Sequence, residues 1–257
     1  MNLEVLSAAT RMQFSMVVRR PSEAVALVTT PLLSTVVLSI VDRSRHEELV
    51  VPAVVGTSLM GLWTLVVTQV GGLVDADRWM GRLELLVIAP APLPLVVIGR
   101  LVAIVSVGAV AFAEAVVVAV VGFGVEFTPR HPVLFASATL ATLVAVTGAG
   151  AVLSALFVLS RAASQFQAAL TFPLYVLGAV VFPVDVLPEW ARPLADLVFL
   201  HWSAVLLRDA VAAPEVGGNA ALLLALFAFG AAGLAAGALI TRSVEHRIRA
   251  EGTAVMA

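Results

Sequence analysis

Six apolar runs recur along this chain, near 24–41, 50–74, 95–122, 133–159, 168–183 and 219–240, with few charges inside them. A helix needs about 20 mostly apolar residues to cross a bilayer core about 30 Å thick, because it rises about 1.5 Å per residue. The first and fifth runs are short; the first contains Pro31 and the fifth ends in Pro183. Such breakers are tolerated at membrane depth where neighbouring protein or a water-filled cavity satisfies the freed backbone groups. With 61% hydrophobic and 12% charged residues, the chain has too little polar surface to cover itself in water. The expectation is an all-α polytopic membrane protein of six transmembrane helices, forming a single membrane domain over 1–257.

Residue usage then excludes several classes. All fifteen basic residues are Arg, so no G-x-x-x-x-G-K-[ST] loop exists and any nucleotide hydrolysis belongs to a partner. Cysteine is absent, which removes disulfides and thiolate metal sites. His46, His131, His201 and His246 are scattered over loops and the tail, so no metal site is expected. No Ser-His-Asp spacing and no basic-aromatic run for nucleic acid is present, and no catalytic residue is assigned. The first twenty residues carry Glu4, Arg11, Arg19 and Arg20 without a long apolar core, unlike a cleavable signal peptide.

With the N-terminus inside, ten arginines fall on or near the cytoplasmic side: Arg11, Arg19, Arg20, Arg78, Arg82, Arg100, Arg161, Arg242, Arg247 and Arg249. Arg43, Arg45, Arg130, Arg192 and Arg208 fall outside. This asymmetry follows the positive-inside rule and places both termini in the cytoplasm. Residues 1–20 are too polar to span and read as a helix lying at the inner interface, ended by Pro21; a frayed terminus is the alternative.

The loop at 75–94 is then cytoplasmic. Within it Asp77 suits an N-cap, and Trp79, Leu83, Leu86 and Val87 fall at helical spacing, while Arg78, Arg82 and Glu84 project elsewhere. The spacing predicts a short amphipathic helix stopped by Pro90, its apolar strip suited to a partner's groove; an ordinary charged loop is the alternative. Asp77 followed by Gly81-Arg82-Leu83-Glu84-x-Leu86-x-x-x-Pro90 resembles the signature of type-2 ATP-binding-cassette (ABC) permeases. In that family the segment (75–90 here) is the coupling helix that seats in the ATPase subunit. Arg82 stands where Thr is usual, and an Asp where Glu is commoner.

A second constellation lies at 182–211. Pro183, Pro188 and Pro193 with Asp185, Glu189, Arg192 and Asp196 do not suit lipid, yet Val184, Leu187, Trp190, Leu194 and Leu197 are too apolar for a free loop. A re-entrant hairpin of short helices at the outer interface fits, anchored by Trp190 and Trp202; a plain amphipathic external loop is the alternative. Phe182, Pro183, Leu187, Pro188, Trp190 and Arg208 match a Phe-Pro-x-x-x-Leu-Pro-x-Trp…Arg pattern of the same family, implying an outer gate element over 183–208. The family's usual Asn-Pro pair is missing, with Leu200-His201 in its region.

Inside the membrane, Glu114 sits near the middle of the third run, where a charge costs roughly 3 kcal/mol. It reads either as a substrate-pathway or proton-linked group, or as a hydrogen-bonded tie between helices. Thr64, Thr68 and Gln69 suit hydrogen bonding between helices. Gly148, Gly150, Gly230, Gly233 and Gly237 suit close helix packing, within the chain or across a dimer.

The resemblance is closest to drug-exporting permeases of the daunorubicin-resistance type. It implies an ABC exporter subunit in the bacterial cytoplasmic membrane, moving a hydrophobic or amphipathic drug, natural product, lipid or glycan. It also implies a second permease copy or paralogue and two ATPase subunits that bind ATP and Mg, with no cofactor on this chain. The alternative is a proton-coupled secondary transporter using Glu114.

Overall fold

In the computed structural model, residues 2–19, 21–44, 47–79, 91–159, 171–180, 184, 187–190, 192–214 and 217–251 are described. Among these the regular structure is helical: α1 (Asn2–Arg19), α2 (Pro21–Ser44), α3 (Val50–Trp79), α4 (Leu93–Val117), α5 (Pro132–Leu159), α6 (171–177), α7 (Arg192–Ala195), α8 (Phe199–Ala212) and α9 (Asn219–Glu251). A 3₁₀ turn at Glu47–Leu49 leads into α3, and α4 finishes in a π-helical turn, Val118–Gly122.

Four helices among the described residues are long and apolar enough to cross a bilayer: Val50–Gly72, Leu93–Gly122, Pro132–Val158 and Asn219–His246. They coincide with the second, third, fourth and sixth apolar runs. For the first run, α2 continues through Pro31 as one helix of 24 residues. Parts of the fifth run (168–170 and 181–183) lie outside the described residues.

One correction concerns helix length. Asp77 lies inside α3, two residues before its end at Trp79, rather than capping a separate helix. The polar residues after Val74 contain no proline, so nothing stops the helix where its apolar run ends. Glu114 lies about 10 Å from the midpoint of the Leu93–Gly122 helix, at about 1.5 Å per residue. It therefore belongs to the half of α4 nearer Gly122.

α3 is the central helix, with 72% of its apolar window buried, while only 17% of that of α9 is buried. The core gathers Leu59, Leu62, Trp63 and Val66 of α3 with Leu101 and Ile104 of α4 and Leu206 and Leu207 of α8. A second cluster joins Leu38 and Val41 of α2 to Val54 of α3 and Ala119 at the end of α4. Large apolar side chains left outside, such as Leu32, Val36 and Ile40 on α2 or Leu224 and Leu239 on α9, suit contact with lipid.

α1 is docked rather than frayed. Ala9, Gln13 and Val17, four residues apart, are its buried stripe, and Thr10 donates from its hydroxyl to the carbonyl of Gly99 at 3.0 Å. A Cβ on Gly99 would lie 2.8 Å from the Leu6 carbonyl oxygen and 2.9 Å from the Ala9 Cβ, so this approach to α4 requires glycine. Leu3, Met12 and Phe14 remain exposed, beside Arg11 and Arg19.

The contact between α5 and α9 is the most extensive pairing of helices among the described residues. A Cβ on Gly233 would lie 2.7 Å from the Gly148 backbone, one on Gly230 2.8 Å from Val144, and one on Gly237 2.6 Å from the Ala151 Cβ. The glycine spacing thus serves packing within the chain. Lipid tails are as apolar as side chains, so the association rests on this close fit.

Candidate functional site

The stretch from α6 to α8 is a helix that breaks, and a second helix that receives the broken end. α6 closes in a Schellman turn: Val180 N–H donates to the Tyr175 carbonyl at 3.3 Å, and Ala179 N–H to that of Val176 at 3.2 Å. The turn puts Ala179 at φ 47°, where glycine is usual, at a cost of about 1 kcal/mol. What offsets that cost comes from α8. The imidazole Nδ1 of His201 donates to the Gly178 carbonyl at 3.2 Å, so this nitrogen carries a proton. Arg208 donates from one Nη to the Ala179 carbonyl at 3.1 Å and also to that of Val180.

Three successive carbonyls at the C-terminus of α6 are therefore taken by two side chains seven residues apart on one face of α8. A cation there also complements the negative end of the helix dipole. Burial lowers the Arg208 pKa to about 10, opposed by the neighbouring Asp209, and leaves it a cation at neutral pH. The second ring nitrogen of His201 lies 3.9 Å from the exposed carboxylate of Asp196.

Aromatic packing fixes α8 between its neighbours. Phe199 meets Trp63 of α3 edge-on at 5.5 Å and stacks on Phe229 of α9 at 5.0 Å, and Trp202 meets Phe229 edge-on at 6.4 Å. α6 is tied to α3 by polar contacts. The hydroxyl of Tyr175, the single tyrosine of the chain, donates to the Met60 carbonyl at 2.9 Å. Its only proton is then used, so Thr64 donates to the phenol oxygen at 2.6 Å.

Between the two helices, Leu187 N–H donates to the Val184 carbonyl, and the Leu187 carbonyl accepts from Arg192 Nε at 3.2 Å. Pro188 is exposed, as are Trp190 at 73% and Leu197 at 78%. Of the residues singled out for the outer element, Leu187, Pro188, Trp190 and Arg208 lie along this connection, while Phe182 and Pro183 lie outside the described residues. His201 and Tyr175 also belong to the arrangement. His201 stands where the Asn-Pro pair is missing.

Asp77 and Arg78 lie at the end of the described part of α3, and Gly81, Arg82, Leu83, Glu84, Leu86 and Pro90 lie outside the described residues. The chain resumes at Pro92, whose carbonyl starts α4 by accepting from Leu95 and Val96. Glu114 is half-buried, and its Oε2 has no hydrogen-bond partner. The structure does not join it to the α6–α8 contacts.

A comparison with curated proteins found no match. A comparison with family models matched residues 4–211 to the ABC-2 type transporter family, a span from α1 almost to the end of α8. The match covers most of the chain: the protein belongs to the ABC-2 type transporter family and is a membrane-spanning permease of that kind, whose relatives in general work with ABC ATPase partners.

Proposed function

We propose that the chain is the membrane subunit of an ATP-driven exporter. It moves a hydrophobic or amphipathic substrate out across a bacterial cytoplasmic membrane, and assembles as two copies or a paralogous pair with two ATPase subunits. ATP and Mg bind to those subunits, and this chain supplies no catalytic residue. The single observation that carries the reading is the polar-held break of α6 against α8. A broken helix whose carbonyls are held by two side chains can open by exchanging those hydrogen bonds, which a continuous spanning helix cannot do.

In this reading α2 and the fifth apolar run complete six spans, both termini are cytoplasmic, and α1 lies at the inner interface. Residues 75–90 couple to the ATPase through Asp77, Arg78, Gly81, Arg82, Leu83, Glu84, Leu86 and Pro90. Residues 183–208 form the outer re-entrant element, with exposed Trp190 at the headgroup level. The resemblance of both segments to daunorubicin-resistance-type permeases supports drug or natural-product efflux. The test is co-purification with a co-expressed ABC ATPase subunit, followed by transport in proteoliposomes. Gly81→Trp and Glu84→Arg are expected to abolish both assembly and transport; unimpaired assembly and transport would sink the reading.

A second reading is favoured by the unpartnered Oε2 of Glu114. A proton-coupled carrier using this carboxyl transports without any ATPase, and Glu114→Gln abolishes its pH dependence.

A further inference from the structure

α3 runs from Val50 to Trp79 as one helix, and its last turn carries Asp77 and Arg78 of the 75–90 segment. At about 1.5 Å per residue, Thr64 lies about 22 Å from Trp79 along it. The helix is unbroken over that distance, through Gly71 and Gly72, so a displacement of its end is carried to Thr64.

There α3 meets Tyr175 of α6. The phenol donates to the Met60 carbonyl at 2.9 Å and accepts from the Thr64 hydroxyl at 2.6 Å. The chain has twelve Phe and one Tyr, so an aromatic ring alone could have been supplied by Phe, and what Tyr175 adds is its hydroxyl. A buried hydroxyl is costly unless it is bonded, and this one is bonded both as donor and as acceptor. The backbone of the same residue closes the α6 turn, because the Tyr175 carbonyl accepts from Val180 N–H at 3.3 Å. The Val180 carbonyl in turn accepts from Arg208, and that of Gly178 from His201. One residue thus holds α3 with its side chain and the exchangeable turn with its carbonyl.

We infer that Tyr175 is a positioning residue of the transport cycle: by joining α3 to the α6 turn, it makes the turn follow α3. Movement of the 75–90 segment then reaches the carbonyls held by His201 and Arg208; this step rests on the export reading. The two partners of the phenol are not equivalent. The Met60 carbonyl is helix backbone and cannot turn away, whereas Thr64 has two side-chain rotamers open to it in a helix. The bond to Met60 therefore transmits the movement, and that from Thr64 steadies the ring.

The test uses the permease assembled with a co-expressed ABC ATPase subunit, and needs no transported substrate. Spin labels on the cysteine-free chain are placed as Val121→Cys with Leu197→Cys, across the joint, and as Thr68→Cys with Phe172→Cys, on exposed positions of α3 and α6. Electron–electron double resonance compares the nucleotide-free and ATP-trapped states. In the native chain the 121–197 distribution is expected to shift while 68–172 stays fixed. In Tyr175→Phe the complex is expected to assemble and hydrolyse ATP as before, but to lose the 121–197 shift and broaden at 68–172. Thr64→Val is expected to keep the shift. A role in stability alone lowers the melting temperature and leaves the shift intact, which overturns the inference. So does a 68–172 distribution that shifts in the native chain, a result independent of whether Tyr175→Phe folds. A native complex that hydrolyses no ATP, or that hydrolyses it without a 121–197 shift, overturns the export reading itself.

Discussion

Two helix contacts on opposite flanks of α8 are built on different physics. The α5–α9 seam is built on close backbone approach: Gly148, Gly230, Gly233 and Gly237 let the backbones approach until an added Cβ would overlap its neighbour. The α6–α8 contact is made of hydrogen bonds, with His201 and Arg208 taking the carbonyls at 178–180. A seam of interlocked backbone has one arrangement, because separating it by even a fraction of an ångström forfeits dispersion contacts along its whole length. Hydrogen bonds from long side chains to a helix end can be exchanged for others, to water or to a neighbouring carbonyl, at a net cost of about 1 kcal/mol each. One chain thus carries a fixed joint and an exchangeable one, both attached to α8 and α9 through Phe199 and Phe229.

The seam breaks most severely. Gly233→Leu puts a side chain where the Gly148 backbone stands, and costs about 3 kcal/mol, the upper end for overpacking. Because α9 is little buried elsewhere, the monodisperse peak in size-exclusion chromatography is expected to be lost. Next in size, Arg208→Met leaves the Ala179 and Val180 carbonyls without their donor, at a cost of about 2 kcal/mol. It is expected to lower the melting temperature and uncouple transport while the peak stays monodisperse; Arg208→Lys recovers part of the stability. Equal damage from both substitutions would erase the distinction between the two joints.

Smaller effects sharpen it. Tyr175→Phe removes the donor to Met60 and the acceptor of Thr64, for about 1 kcal/mol, and Thr64→Val added to it costs little more, as a double-mutant cycle in thermal denaturation would show. Ala179→Gly relieves the left-handed backbone and gains at most about 1 kcal/mol, reduced by the extra freedom of glycine in the unfolded chain. A melting temperature that falls in this variant would mean that the turn is not held against strain.

What was legible beforehand followed from local periodicity. The apolar runs marked the four long spanning helices, and the glycine spacing in the fourth and sixth runs marked a close packing face. Arg208 could be singled out beforehand, but the carbonyls it binds could not, since a partner 28 residues away leaves no trace in spacing. Tyr175 reads as one more apolar residue until Thr64, 111 residues upstream, is brought beside it. His201 marked only a departure from the family pattern, and its bond to Gly178 depends on how the α6 turn exposes its carbonyls. Asp77 was read as the cap of a separate helix because polarity was taken for a helix end. Polarity ends a membrane-depth run, whereas only a backbone breaker ends the helix.

The most direct measurement uses the absence of cysteine, which lets spin labels be placed singly. Leu197→Cys and Val121→Cys label exposed sites on the α6–α8 connection and the end of α4; Leu156→Cys and Leu239→Cys label exposed sites on α5 and α9. Electron–electron double resonance would then be recorded on the assembled complex without nucleotide and with ATP trapped. The expected result is a shifted 121–197 distance distribution and an unchanged 156–239 distribution. An unchanged 121–197 distribution in a complex that still transports, or a shift confined to the 156–239 pair, would contradict export through the α6–α8 joint.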